Sequence, residues 1–202
     1  DEIVRFLLEG LGIPAITTNA AGFVGSCRSQ ASEVLLTPEQ RSGAMACLRE
    51  LAAEYPGRID AQAGPLAEGR RWIAMERARR EAGPAFADGG YLTGCGCTSS
   101  SIAVRPDGTY VPCAMLPSME LGRIDETPLA EIWQHSPALH RLRRRRLIAL
   151  DRFEECRACG YRPYCTGNCP GLAFSITGAA DRPSPDACLR RFLNEGGALP
   201  GP

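Results

Sequence analysis

The spacing of the cysteines constrains this chain more than any other feature: Cys156-x2-Cys159-x5-Cys165-x3-Cys169, preceded by Cys95, Cys97 and Gly108-x4-Cys113 and followed by Cys188. Eight of the ten cysteines thus lie between residues 95 and 188, and eight thiolates make two sets of four. Soft thiolates at short loop spacings are what an iron–sulfur cluster requires, because a cubane is approached from four directions and a C-x2-C loop places two sulfurs on one face. Gly and Pro between the cysteines keep these segments from settling into a regular helix or strand. Two other uses of cysteine fit worse. A zinc ribbon takes four cysteines in two hook-like pairs, whereas this chain has a single C-x2-C and would leave four thiols over. A disulfide framework calls for export, and the amino end, DEIVRFLLEGLGIP, has neither a basic n-region nor a small-residue cleavage site. Cys27 and Cys47 have no ligand spacing, and Cys47 reads as a packed, inert thiol.

Charge and composition narrow the function classes. All 23 basic residues are arginine, so a P-loop lysine, a Schiff-base lysine and a lysine general base are excluded. They balance 23 acidic residues, which argues against nucleic acid or a membrane surface as a partner held by bulk charge. No apolar run approaches the roughly 18–20 residues that span a bilayer. The expectation is a soluble, cytoplasmic chain with a real apolar core, 44% of its 202 residues being hydrophobic. Its first residue is Asp1, not Met, which suggests a segment upstream.

Residues 1–81 alternate helix and strand. A helical apolar pattern at Ile3, Phe6 and Leu7 leads to a β stretch at Ile13–Thr18. Thr37, Pro38 and Gln40 form a capping-box signal for a second helix with Met45, Leu48, Leu51 and Ala52 on one face, and Gly57–Ala63 is the next strand. This order predicts parallel strands with helices on their faces, and two such strands leave an open edge for something else to cover. Residues 82–94 hold five Gly and Pro among thirteen positions and read as a linker. Beyond it, Pro106-Asp107-Gly108 between Ile102–Arg105 and Tyr110–Val111 predicts a β-hairpin. Thr127-Pro128 and Ser136-Pro137 predict two short helices, around Ile132-Trp133 and over Leu139–Leu147, and the chain after Asp151 reads as mostly loop. The run Arg141-Leu142-Arg143-Arg144-Arg145-Arg146 reads as a solvated face, with docking of an acidic peptide or redox partner as the other reading. His135 and His140 read as surface or capping residues.

The cysteine pattern, C-x(9–15)-G-x4-C, gap, C-x2-C-x5-C-x3-C, gap, C, resembles the SPASM domain, the carboxy-terminal extension of many radical S-adenosylmethionine enzymes. Either Cys95 or Cys97 stands in the place of the first cysteine. The surrounding residues are similar too: Val104-Arg105-Pro106-Asp107-Gly108, Leu121-Gly122-Arg123-Ile124, Leu129-Ala130-Glu131-Ile132-Trp133 and Cys165-Thr166-Gly167-Asn168-Cys169-Pro170-Gly171. The resemblance implies an α/β plus irregular fold: the end of a partial (βα) barrel over 1–81, a linker over 82–94, a SPASM domain over 95–191 and a tail over 192–202. It implies two auxiliary [4Fe–4S] clusters with interleaved ligands. Cys113, Cys169 and Cys95 or Cys97, or both, would hold the first, and Cys156, Cys159, Cys165 and Cys188 the second.

The family's C-x3-C-x2-C motif, whose cluster binds S-adenosylmethionine and reductively cleaves it to a 5′-deoxyadenosyl radical, does not occur in these residues. S-adenosylmethionine and a third [4Fe–4S] cluster are therefore expected only with an upstream segment. Thr17, Thr18 and Asn19, at the end of a barrel strand, either face cofactor or substrate or simply cap the strand. The expected function is the auxiliary-cluster portion of a radical S-adenosylmethionine/SPASM enzyme that modifies a ribosomally synthesised peptide or protein. The alternatives are a non-enzymatic iron–sulfur module for electron transfer or peptide binding, and a relative from tetrapyrrole or cofactor synthesis.

Overall fold

Thr37 marks the clearest start signal in the first eighty residues, and the computed structural model, which describes residues 1–201, builds its capping box there. The Thr37 hydroxyl accepts the Gln40 N–H at 3.2 Å while the Gln40 side-chain oxygen accepts the Thr37 N–H at 2.9 Å. Before this helix the chain forms α1 (Glu2–Arg5), continued by one π turn over Phe6–Gly10, then β1 (Ile16–Thr17), a 3-10 turn over Gly25–Arg28 and α2 (Ala31–Val34). The capped helix is α3 (Pro38–Glu54), followed by β2 (Ile59–Asp60) and α4 (Gly64–Arg80).

β1 and β2 pair in parallel, with Ile16 opposite Ile59 and Thr17 opposite Asp60. The strands are shorter than Ile13–Thr18 and Gly57–Ala63. The reason is local: Pro14 has no N–H for a ladder, and the Arg58 guanidinium takes the carbonyls of Leu8, Ile13 and Pro14 at 2.8–3.1 Å. Val4, Leu8, Leu51, Ile59 and Leu66 make the buried core, against which Ile16, Cys47 and Tyr55 pack. Arg41 of α3 forms a two-pronged ion pair with Glu68 of α4, at 2.9 and 2.5 Å, and lies 5.0 Å from the centre of the Trp72 ring. The helix Leu189–Asn194 belongs to this unit, which comprises residues 1–83 and the chain from Leu189 onwards. Its Phe192 ring stands 4.8 Å from that of Trp72, so residues expected as a tail begin within packed helix.

The second unit, residues 84–188, contains α5 (Gly96–Ser99), β3 (Ala103–Val104), β4 (Thr109–Val111) and β5 (Gly122–Arg123). The hairpin forms at Pro106-Asp107-Gly108: Gly108 takes φ +84°, and the Asp107 carboxylate accepts the Thr109 N–H at 3.1 Å. β5 adds a third antiparallel strand that the sequence did not announce. Two residues, one of them glycine, carry no alternation. Gly122 is needed there because a Cβ would lie 2.6 Å from the Ile132 side chain.

α6 (Leu129–His135) and α7 (Pro137–Arg144) follow, the second capped by the Ser136 hydroxyl, and Ile132 and Leu139 pack with Tyr110. His140 hydrogen-bonds the Gln134 carbonyl at 2.7 Å, a capping role. The arginine run is not one solvated face. Arg141, Arg144 and Arg146 are exposed, Arg143 lies over the Trp133 ring at 4.9 Å, and Arg145 is buried, because α7 ends at Arg144 and a 3-10 turn over Arg145–Leu147 begins.

The region after Asp151 is more regular than expected. It forms α8 (Glu154–Arg157), a 3-10 turn over Arg162–Tyr164 and α9 (Pro170–Thr177), the last bounded by Pro170 in its first turn and Gly178 in the left-handed region. From Pro84 on, the stretch expected as a linker is part of this unit. Phe86, Gly90 and Thr93 donate to the carbonyls of Pro163, Cys165 and Thr166 at 2.7–3.1 Å, and Leu92 donates to Ile148 at 2.9 Å. Among the described residues, no helix is long and apolar enough to cross a membrane.

Candidate metal centre

None of the ten cysteines is in a disulfide, and Cys97 is the buried one. Cys95 precedes α5, Cys97 lies in its first turn, Cys113 follows β4, and Cys169 is the residue from which α9 starts. Hydrogen bonds to the sulfurs of Cys113 and Cys95 push the Cys97 thiol well above its ordinary range. The same contact pulls the Cys95 thiol down to about 5, helped by the backbone N–H groups of Cys97 and Gly96. It pulls the Cys113 thiol down to about 7. Burial pushes the Cys169 thiol up, and the charges of Cys95 and Cys113 push in the same direction. These four sulfurs therefore share one electrostatic neighbourhood.

Cys156 sits in a different one. Its thiol is pushed up to about 12, first by burial and then by the charges of Cys165, Glu155, Cys159 and Cys188. Cys156 and Cys159 bracket a turn in which the Cys159 N–H reaches the Cys156 carbonyl at 3.1 Å. Cys165 and Cys169 are four apart yet act on different neighbours. Between them the backbone passes through two successive residues of positive φ, Gly167 (62°) and Asn168 (54°). Gly167 is packed close: a Cβ there would lie 2.4 Å from the Leu92 side chain.

Electrostatic interactions link Cys95, Cys97 and Cys113 with Cys169, and Cys156 with Cys159, Cys165 and Cys188. An all-sulfur donor set of four per neighbourhood fits an iron–sulfur cluster in kind and number. Among the described residues, no group of three or more His, Cys, Asp or Glu is gathered for a single metal ion. Cys47 packs on the core of the first unit, and Cys27 lies in the 3-10 turn Gly25–Arg28.

The other candidate residues belong to the first unit. Thr17 and Asn19 are exposed, Thr18 is half-buried with its hydroxyl unpartnered, and the Asn19 side chain accepts the Ala20 N–H at 2.8 Å. Gly64, at φ +77°, lets the start of α4 come against this segment, since a Cβ would lie 2.9 Å from the Ala20 nitrogen. The residue that reading from sequence missed is Arg145, and nothing in a run of arginines marks one member as buried.

Residues 95–160 match the SPASM family, an iron–sulfur cluster-binding domain. The chain is also 32% identical over 91 residues to the PqqA peptide cyclase of Granulibacter bethesdensis, a match covering 44% of this chain and 23% of that protein. It is 33% identical over 89 residues to the PqqA peptide cyclase of Methylobacterium nodulans, covering 43% and 22%. The matched stretch thus spans less than a quarter of the length of these relatives. No solved structure matches the chain. The SPASM match takes in Cys95, Cys97, Cys113, Cys156 and Cys159, while Cys165, Cys169 and Cys188 lie beyond its end.

Proposed function

We propose that this chain is the auxiliary iron–sulfur portion of a radical S-adenosylmethionine/SPASM enzyme that modifies a ribosomally made peptide. One observation supports the reading: in and just after the stretch that matches the SPASM model, eight thiols interact electrostatically in two groups of four. Cys95, Cys97, Cys113 and Cys169 hold the first [4Fe–4S] cluster in this scheme, and Cys156, Cys159, Cys165 and Cys188 the second. Bound there, such clusters supply one-electron redox capacity next to the substrate. The protein's own part is to hold each set of sulfurs apart and to tie the loops that carry them. A peptide as substrate follows the relatives' name, PqqA peptide cyclase.

Residues 1–81 fit the closing βα units of a partial barrel, with Thr17, Thr18 and Asn19 at the strand end where barrels place their ligands. The S-adenosylmethionine cluster requires a C-x3-C-x2-C motif, which these 202 residues lack. An upstream segment supplies it in this scheme.

Anaerobic reconstitution of the protein is expected to give about eight irons and eight sulfides per chain, the content of two four-iron clusters. One tightly held zinc without labile sulfide would sink the cluster reading. The enzymatic reading is tested separately, by 5′-deoxyadenosine formation under strong reductant. Protein carrying an upstream C-x3-C-x2-C segment is expected to form it and the 202-residue chain alone is not. Failure of the longer protein leaves an iron–sulfur module, not an enzyme.

A further inference from the structure

Arg145 is the one buried charged side chain among the described residues, with 1% of its surface exposed. Its guanidinium donates Nε–H to the Ala180 carbonyl at 2.7 Å, one Nη to Thr93 at 2.7 Å and the other to Arg182 at 3.0 Å. All three acceptors are neutral backbone oxygens. They take three of its five N–H hydrogens and bring no formal charge, and a buried cation is costly unless negative charge lies near it. The charges of Cys169, Cys95 and Cys97 act on Arg145, ahead of that of Asp181. The same guanidinium holds the Thr93 carbonyl, two residues before Cys95, so this buried cation is tied to the backbone that enters that thiol group.

We infer that Arg145 is a positioning residue whose fixed positive charge offsets the negative charge of a cluster held by Cys95, Cys97, Cys113 and Cys169 and eases its reduction. The inference rests on the cluster reading above. Reduction by one electron from an added low-potential reductant breaks no bond and takes no proton from the protein. A buried positive charge nearby therefore stabilises the more negative, reduced form more than the oxidised one. Arginine suits the place because only its planar fork reaches three diverging carbonyls while staying charged.

The test compares Arg145→Met and Arg145→Lys in the reconstituted protein by potentiometric titration with electron paramagnetic resonance. The Cys159→Ala background isolates the signal of the first thiol group. Arg145→Met is expected to lower the reduced-to-oxidised ratio at fixed potential about tenfold, ~59 mV for a one-electron couple. Arg145→Lys keeps the charge and is expected to hold the ratio within about twofold, although it breaks the fork and melts at lower temperature. A first cluster that assembles with lysine and not with methionine also supports the charge role. Methionine at the wild-type potential overturns it. So does a lysine variant shifted as far as the methionine one, or failure of both variants to fold, since either outcome assigns Arg145 to hydrogen bonding alone. Wild-type protein without iron removes the cluster reading and the inference together, whereas iron-loaded Arg145→Met with an unchanged potential removes only the inference.

Discussion

Reconstituted Cys113→Ala is expected to keep about four of eight irons, and Cys159→Ala the complementary four. Cys113 is hydrogen-bonded to Cys97, which also touches Cys95, and its charge acts on Cys169. Cys159 acts on Cys156 together with Cys165 and Cys188. Alanine at either place removes one ligand from one set and leaves the other intact. Neither change opens a large cavity, and the Cys97 proton still has the Cys95 sulfur as partner in Cys113→Ala, so both apo proteins are expected to retain the circular dichroism of the parent. Iron and sulfide analysis with spectra of the reduced proteins checks this: the two residual signals should sum to that of the parent. If both variants lose the same signal while the other persists, the interleaved division is wrong.

Gly89→Ala is expected to destabilise the second unit by about 3 kcal/mol or more, against about 1 kcal/mol for Gly90→Ala next to it. The two glycines differ in kind. Gly90 adopts φ +85° with open space around its missing Cβ, so alanine there meets only backbone strain. At Gly89 a Cβ would lie 1.9 Å from the Pro163 carbonyl oxygen and 2.7 Å from its carbon, and both are main-chain atoms that cannot rotate away. Relief requires parting the stretch 86–93 from residues 163–166, where the Phe86, Gly90 and Thr93 N–H groups are bound. Pro163 lies between Cys159 and Cys165, so the displacement reaches the second thiol group. Urea unfolding should show the large difference between the two variants, and Gly89→Ala should also lose the signal that Cys159→Ala lacks. Equal stability of the two proteins would refute the close approach.

Much of the local structure needed no tertiary knowledge. The Thr37–Gln40 box, the Ser136 cap and the Pro106-Asp107-Gly108 turn depend on atoms a few residues apart, and all three formed where expected. α9 was within reach too, since Pro170 and Gly178 bracket it as start and stop signals. It was missed because the cysteine loops around it drew the reading towards irregular backbone. The third strand of the hairpin sheet was less accessible, as Gly122–Arg123 is defined by partners on β4 and by the nearness of Ile132.

By itself the sequence determined the kind of chemistry this protein can host: eight cysteines at fixed spacings in a chain without lysine point to soft-metal ligation and exclude lysine catalysis. Spacing is a covalent property, so it survives without a fold. Which thiols act on one another was decided in three dimensions, where Cys97 is hydrogen-bonded to Cys95 and Cys113 and the charges of Cys95 and Cys113 reach Cys169. The Gly- and Pro-rich stretch before Cys95 could not reveal that it clasps residues 163–166, because main-chain hydrogen bonds carry no side-chain signature. Arg145 shows the same division most sharply. Its neighbours in sequence are also arginine, and only the end of α7 and the carbonyls of Thr93, Ala180 and Arg182 turn this one inward, where a permanent charge acts at full strength in a low dielectric.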